Sequence, residues 1–576
     1  MGRAVSSCAG GTFWERCRAS LSSWRWWELA FLGGLTFAVY GALVTHPTTP
    51  YDFAAAKGDG FQVFLTYFFM RRWSQGVIAG LFHDFSPLWN ASVALLFLFG
   101  SALLLGEVCR RSGLRRGGRM VFLALWLSAP FFYNRSIYQH ALPCEAIGFC
   151  LDAVALLFFQ RLREAWSWKR AALAALCVTA STGIYQSHAN LLLTAMLGVC
   201  VLAPRTTWRA WAQDLLRVAG ILGAGVALWA LFDYGPVALC DAVGFTIPPS
   251  GGAHDAIYWF ERGSTFGGNL VGLLLGLAIN WGYNAFFVVG LRFVWLSLAG
   301  LGVAATLGAV RGKGVWAVTL GAFALSVFAF PVVQCASANL RTYYCLTPLI
   351  AFSGVLLWQA WGGCRRARWV AVALVALSVT SLGHETATLY YFRWKVREQD
   401  RMHMGFVAQD LWRLYGSRLE KPVAVVGGMD GYPTGWEDFR PFRFLPLLSQ
   451  PFSLYSNMTS HNVPREFYMI AREHVGLVAP MPEWNHYQAL LKRKDLVRDH
   501  PHYPSPGYIF EEEGVIIVNF GEDGTQWRAF RFDDYRSPNE RLLHKTLRLD
   551  QAANAVLRLT APLRRGAKAY PQSVSR

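Results

Sequence analysis

Residues 144–160 read CEAIGFCLDAVALLFFQ, an apolar run that stops at Arg161 and Arg163. A run of this length approaches the roughly 20 residues that cross a bilayer as a helix. It carries two acids, Glu145 and Asp152, seven residues apart and so on one helical face. A carboxylate facing lipid is costly, so that face is expected to look into a bundle of helices. Polar glue between helices is the plain alternative for the same pair.

The rest of the chain repeats this pattern. Of 576 residues, 54% are apolar and only 16% charged, against roughly a quarter in ordinary soluble proteins. That excludes a disordered chain, a disulfide-stapled small domain and an ordinary cytosolic enzyme. Apolar stretches stand near 28–45, 87–106, 120–133, 144–160, 171–184, 189–203, 216–234, 285–310, 315–333, 345–361 and 369–384. They predict a polytopic α-helical membrane protein of about 11 transmembrane helices. The stretch 264–283 is Gly-rich and apolar, and reads as a further span, a re-entrant segment or an interfacial helix. The first stretch follows a basic start, as a signal peptide does, but no small-residue cleavage site stands out, so it reads as an uncleaved anchor.

Charge orients the spans. One set of alternate loops holds Arg16, Arg18 and Arg25, then Arg110 to Arg119, Arg161 to Arg170, Arg205 to Arg217, Arg311 and Lys313, and Arg365 to Arg368. The other set holds little beyond Lys57, Arg71, Arg72, Arg135, Arg262 and Arg341. The positive-inside rule puts the first set in the cytoplasm, with the N-terminus (1–27) inside. The basic surplus, a formal net charge of +18, then needs no nucleic acid partner. An odd number of spans puts the tail outside. Only 14 of the 36 acids precede residue 385, which divides a membrane part (28–384, with outer loops 46–86 and 235–284) from a charged tail. The tail returns to soluble patterning. An amphipathic run at 398–416, with apolar Phe406, Val407, Leu411, Trp412 and Leu414 among charges, a short strand over 423–428 ending at glycines and a second strand over 515–520 predict an α/β domain over 385–525, followed by a basic tail, 526–576. All eleven Cys lie before residue 365, so an exported tail would hold no disulfide.

The outer loops carry the candidate chemistry. The first contains Asp52, Lys57, Asp59, Arg71 and Arg72. A carboxylate there can take a proton from a sugar hydroxyl, and a guanidinium fork suits a phosphate. Arg341, the single cation between 334 and 344, is a candidate phosphate clamp. Glu145, and His188 in the short loop Tyr185-Gln186-Ser187-His188, are further candidates. Walker A, dinucleotide-binding, H-E-x-x-H and D-x-D patterns are all absent.

Four pieces carry a resemblance: Tyr51-Asp52 with Arg72-Trp73; Ile184-Tyr185-Gln186-Ser187; Asp410 leading to Lys421-Pro422-Val423-Ala424-Val425-Val426-Gly427; and His502-Tyr503-Pro504 with Gly507 ahead of Val515–Val518. In order and spacing they resemble the bacterial O-antigen glucosyltransferases of the serotype-converting type, related in plan to type C glycosyltransferases. Phe53 stands where that family has a second acid, and Arg71 where it has Gly. The resemblance implies transfer of a hexose, typically glucose, from a polyprenyl-phosphate donor to O-antigen or another surface glycan. It implies a bacterial inner membrane location with a periplasmic tail. In that scheme Asp52 or Asp59 is the base, and Arg72 and Arg341, with Arg71, Lys57 or Arg135, hold the donor phosphate. Glu145, Tyr138, Tyr185, Gln186 and His188 shape the sugar and acceptor pocket. Some type C enzymes use a divalent cation, Mg or Mn, and this sequence leaves that open. The rival readings are a lipid-linked sugar flippase or polysaccharide exporter, and an O-antigen ligase or polymerase.

Reporter fusions test the sidedness. A phosphatase fused within 46–60 is expected to be active, and one fused at Gly113 inactive; the reverse pattern overturns the orientation.

Overall fold

In a computed structural model the chain is mostly helical, and the described residues are 22–45, 64, 72–82, 85–129, 142–243, 302, 314–326, 345–361, 365–426, 471–472, 475–480, 486, 489–490 and 493–520. Helices run at α1 (Trp26–Tyr40), α2 (Ala42–Thr45), α3 (Trp73–Leu81), α4 (Pro87–Arg111), α5 (Arg116–Ser128) and α6 (Leu142–Glu164). They continue with α7 (Trp168–Ile184), α8 (Ser187–Leu202), α9 (Trp208–Ala242), α10 (Gly314–Leu325), α11 (Leu346–Trp361) and α12 (Arg365–Tyr415).

Helices therefore stand at ten of the eleven apolar stretches; 285–310 and the Gly-rich 264–283 lie outside the described residues. Among the described residues, three helices are long and apolar enough to cross a membrane: Leu88–Arg111, Leu142–Glu164 and Trp208–Pro236. Ser187–Leu202, Gly314–Leu325, Leu346–Ala360 and Arg368–His384 are apolar but shorter.

Local signals set the ends. α4 starts where the Ser86 hydroxyl accepts from the Trp89 amide at 3.2 Å, with Pro87 in the first turn, where its missing N–H costs nothing. α6 sits at the centre, packed on α4 and α7; α7 packs in turn on α9, and α11 on α5. Small residues let α6 approach closely: Ala146, Ala153 and Ala155 are fully buried. Large apolar side chains stay exposed on the outside of the bundle, among them Phe37, Leu96, Leu216, Leu231 and Leu377. Exposed apolar side chains on helices this apolar fit lipid better than water.

One end of the bundle is an arginine–carboxylate network. Buried Glu28 of α1 meets Arg119 of α5 at 2.9 Å, and the Arg119 guanidinium lies 3.9 Å from the Trp24 ring centre. Asp214 of α9 meets Arg163 of α6 and Arg205 at 2.8 Å each, and Arg217 at 2.9 Å. Arg163 also donates to the carbonyls of Val199, in the last turn of α8, and Ala203, just past it. Each buried charge here has an opposite charge beside it; Arg163 adds carbonyl hydrogen bonds and Arg119 adds the Trp24 ring, which offset the cost of burial. Exposed Trp26, Trp27, Trp166, Trp168, Trp208 and Trp369 lie in the same stretches of chain as these arginines. Such amphipathic rings belong at a membrane–water interface.

α12 is the main departure from the sequence reading. The boundary drawn at 384/385 falls inside one unbroken helix of 51 residues. Composition changes there, but the backbone hydrogen bonds continue and Thr386 and Tyr390 still pack in the bundle. Its far end buries Met404, Val407, Ala408 and Leu411, at the spacing of one helical stripe. Phe406, Trp412 and Leu414, expected on the apolar face with Val407 and Leu411, are exposed instead.

That stripe covers a three-stranded sheet ordered β1 (Val423–Val426), β3 (Val515–Asn519), β2 (Ile509–Glu512). β1 runs parallel to β3, with Val423 opposite Ile516, and β2 runs antiparallel to it, with Ile509 opposite Val518. The β2–β3 hairpin turns at Glu513-Gly514, both at positive φ (48° and 77°), as a tight two-residue turn requires. Alternate residues of β3 serve two cores: Ile516 and Val518 face α12, while Val515 and Ile517 pack with Leu490 and Leu496. The latter lies on the short helix α13 (Lys494–Arg498). The predicted basic tail 526–576 lies outside the described residues.

His403 of α12 sits 2.9 Å from the Tyr503 hydroxyl, and the Tyr508 hydroxyl donates to Asp410 at 2.9 Å. Burial lowers the His403 pKa below the ordinary histidine value. The folded state thus binds this proton less readily than the unfolded one. The stability gained is present above the ordinary value and is lost as pH falls through the lowered one. The protection factors of the β3 amides, with the intrinsic pH dependence of exchange divided out, are expected to fall as pH drops below the ordinary histidine value. His403→Gln is expected to remove most of that dependence.

Candidate functional site

The end of the bundle away from the arginine network collects buried polar side chains. α6 brings Glu145 in its first turn and Asp152 two turns further on. A carboxylate in the first turn is favoured by the unpaired amides there. α8 brings His188 in its own first turn, with the His188 amide donating to the Tyr185 carbonyl at 3.0 Å.

The three side chains meet. His188 Nδ1 is 2.5 Å from Asp152 Oδ2, and His188 Nε2 is 3.3 Å from Glu145 Oε2. The Asp152 contact is tight and the Glu145 contact long. All three side chains are at most 1% exposed. Gly148, on the same face between the two acids, makes room for the ring. A Cβ there would come within 2.8 Å of the imidazole Cε1 and Nε2 atoms. The Phe149 ring meets the imidazole edge to face at 5.3 Å. Position and tilt of the imidazole are therefore set from several sides.

Beside this triad lies α3. Arg72 precedes its first turn, is 8% exposed, and sets its guanidinium 5.1 Å from the Tyr185 ring centre. That is within range of a cation–π contact. The Cys144 thiol reaches the Gln75 carbonyl at 3.7 Å, joining α3 to the start of α6. Trp73 packs on Phe232 at 5.4 Å, next to fully buried Asp233 of α9. Gly183 lets α7 come close: a Cβ there would meet the Ser74 hydroxyl and the Trp73 indole.

Of the residues singled out in the sequence, Arg72, Glu145, Tyr185, Gln186 and His188 are described, and they gather at this end. Asp52, Asp59, Lys57, Arg71, Arg135, Tyr138 and Arg341 lie outside the described residues. Sequence reasoning left Asp152 out of the site, although its spacing from Glu145 was the available signal. Gln75 was also left out, while Asp233 is one of the outer acids that the sequence offers as candidates for acid–base work. Asp233, an acid at the edge of an apolar run, had a signal; Gln75 had none.

Chemically, the triad offers a proton a hydrogen-bonded place at either ring nitrogen. The carboxylates sit against opposite ring nitrogens, so no single point lies close to all three groups. Among the described residues, no set of three or more His, Cys, Asp or Glu could hold a metal ion. Comparison with protein-family models, with curated proteins and with solved structures gives no match to this chain.

Removing the imidazole would leave two carboxylates facing one buried void. His188→Ala is expected to destabilise the bundle by about 3–5 kcal/mol, the cost of breaking a buried charged pair. Glu145→Gln, which keeps shape and a hydrogen-bonding end, is expected to cost less. Thermal unfolding of the full chain in detergent or nanodiscs ranks the two.

Proposed function

We propose that this chain is a membrane glycosyltransferase that moves a hexose, glucose on the resemblance, from a polyprenyl-phosphate donor to O-antigen or another surface glycan. The reading takes about 11 spans in the bacterial inner membrane, with the site end and an α/β tail facing the periplasm. One observation carries it. Arg72-Trp73 and Tyr185-Gln186 are two of the four pieces behind the resemblance, they are far apart in the chain, and Arg72 meets Tyr185 in space. A buried guanidinium at the end of an apolar bundle suits a phosphate whose lipid tail stays in the bilayer.

The reaction is a single displacement at the anomeric carbon. The acceptor oxygen forms the new C–O bond, and its proton goes to Asp52 or Asp59. The bond to the lipid phosphate breaks, and its electron pair leaves on the phosphate oxygen. Arg72 and Arg341, with Arg71, Lys57 or Arg135, stabilise that oxygen, a role commonly worth about 3 kcal/mol per well-placed group. Glu145, Tyr138, Tyr185, Gln186 and His188 shape the pocket. A divalent cation, Mg or Mn, is a candidate helper for residues of the outer loops.

A second reading has one observation in its favour. A transporter needs ionisable or polar groups inside the bundle. Glu145, Asp152, Asp233 and His188 are all buried. Ionisable groups inside a membrane bundle also serve proton-linked translocation, here of a lipid-linked sugar.

Proteoliposomes holding polyprenyl-phosphate glucose and a glycan acceptor separate these readings. The transferase releases polyprenyl phosphate. A flippase moves the donor without release, and a ligase or polymerase requires a long glycan donor. Arg72→Ala is expected to lower turnover by about 100-fold. Either Asp52→Asn or Asp59→Asn is expected to abolish it, and full activity of both overturns the base assignment.

A further inference from the structure

The protons of the Glu145–His188–Asp152 unit can be counted. A hydrogen bond between a ring nitrogen and a carboxylate oxygen needs a proton on one of them. The imidazole has such a contact at each nitrogen. A neutral ring carries a single N–H, so filling both contacts takes two protons. One arrangement is an imidazolium donating to both carboxylates. The other is a neutral ring that donates to one side while a protonated carboxyl donates to it from the other. The two share one composition and interconvert by shifting protons along existing hydrogen bonds, with no heavy atom moving. Each leaves a net negative charge in a low-dielectric interior. A third proton, on a carboxylate, cancels that charge, and burial favours the neutral form.

We propose that Glu145, His188 and Asp152 form an intramembrane proton-binding site, in which the imidazole passes a proton between a carboxyl near the end of the bundle and one about 10 Å deeper along α6. The ligand is a proton whichever reaction the bundle runs. The site is built for it. The Gly148 notch admits the ring, the Phe149 edge fixes its tilt, and each nitrogen addresses a different acid. The protons belong to the coupled unit rather than to one residue. Its titratable surroundings among the described residues are few. The thiols of Cys150 and Cys177 lie within Coulombic range of Asp152. Cys144, Tyr185, Arg72 and Asp233 share this end of the bundle. Glu107 and Asp214 belong to the arginine network at the other end.

The test is infrared difference spectroscopy of the full-length chain in nanodiscs against pH, in H2O and D2O, with no lipid-linked sugar present. Expected is a protonated-carboxyl C=O band that shifts in D2O and changes amplitude with pH. Glu145→Gln or Asp152→Asn should remove it. Gly148→Ala, which removes no titratable group but crowds the ring, should shift it. A chain with no pH-dependent carboxyl band, or with the same band in both carboxyl variants, overturns the proposal. Should those variants not fold, nitrogen NMR of wild-type protein labelled at histidine decides. A histidine with both ring nitrogens hydrogen-bonded, titrating together with the carboxyl band, supports the site, and its absence overturns it. Because no sugar donor is used, a failed transferase assay leaves this result standing, and the reverse also holds.

Discussion

Charge taken out of water has to bring its counterpart with it, and in this bundle the counterpart often comes from another helix. Glu28 on α1 reaches Arg119 on α5; Asp214 on α9 reaches Arg163 on α6; His188 on α8 stands between two acids of α6. Apolar packing is forgiving about rotation and sliding, particularly where lipid is as apolar as the neighbouring helix. A buried ion pair is not, because losing it strands a charge. These few contacts fix the register of helices whose remaining surfaces are nearly interchangeable.

The two ends use the same physics differently. At the arginine end, cations outnumber the acids they meet, and several keep partial contact with solvent. That arrangement is stable at any ordinary pH, since guanidinium does not lose its proton. In the triad at the other end an imidazole stands between two acids. The first end anchors. The second, on the proposal above, holds a variable number of protons, as a reacting or coupling site requires.

Much of this was readable from the chain. Helix positions follow from apolar length, and the sharing of one side by Glu28, Glu107, Asp214 and their arginines follows from alternate-loop charge. The inward turn of Glu145 and Asp152 follows from a spacing of seven. What could not be read is contact across helices. Nothing near His188 in the chain says that its partners lie 36 and 43 residues earlier. The spacing of apolar residues in 398–416 was equally ambiguous. It offered Phe406, Trp412 and Leu414, whereas the sheet selects Met404, Val407, Ala408 and Leu411. The change of composition at 384/385 marks no helix end, because composition reports the surroundings of a helix and not its continuity.

That continuity has a mechanical consequence. From its last bundle contacts near Tyr390 to Tyr415, α12 extends for about 40 Å at 1.5 Å per residue. A rod of that length, tilted by about 5° at its root, carries its tip about 3 Å sideways. The sheet that rides on Met404 to Leu411 must follow, so a small repacking at the bundle becomes a lateral stroke at the strands.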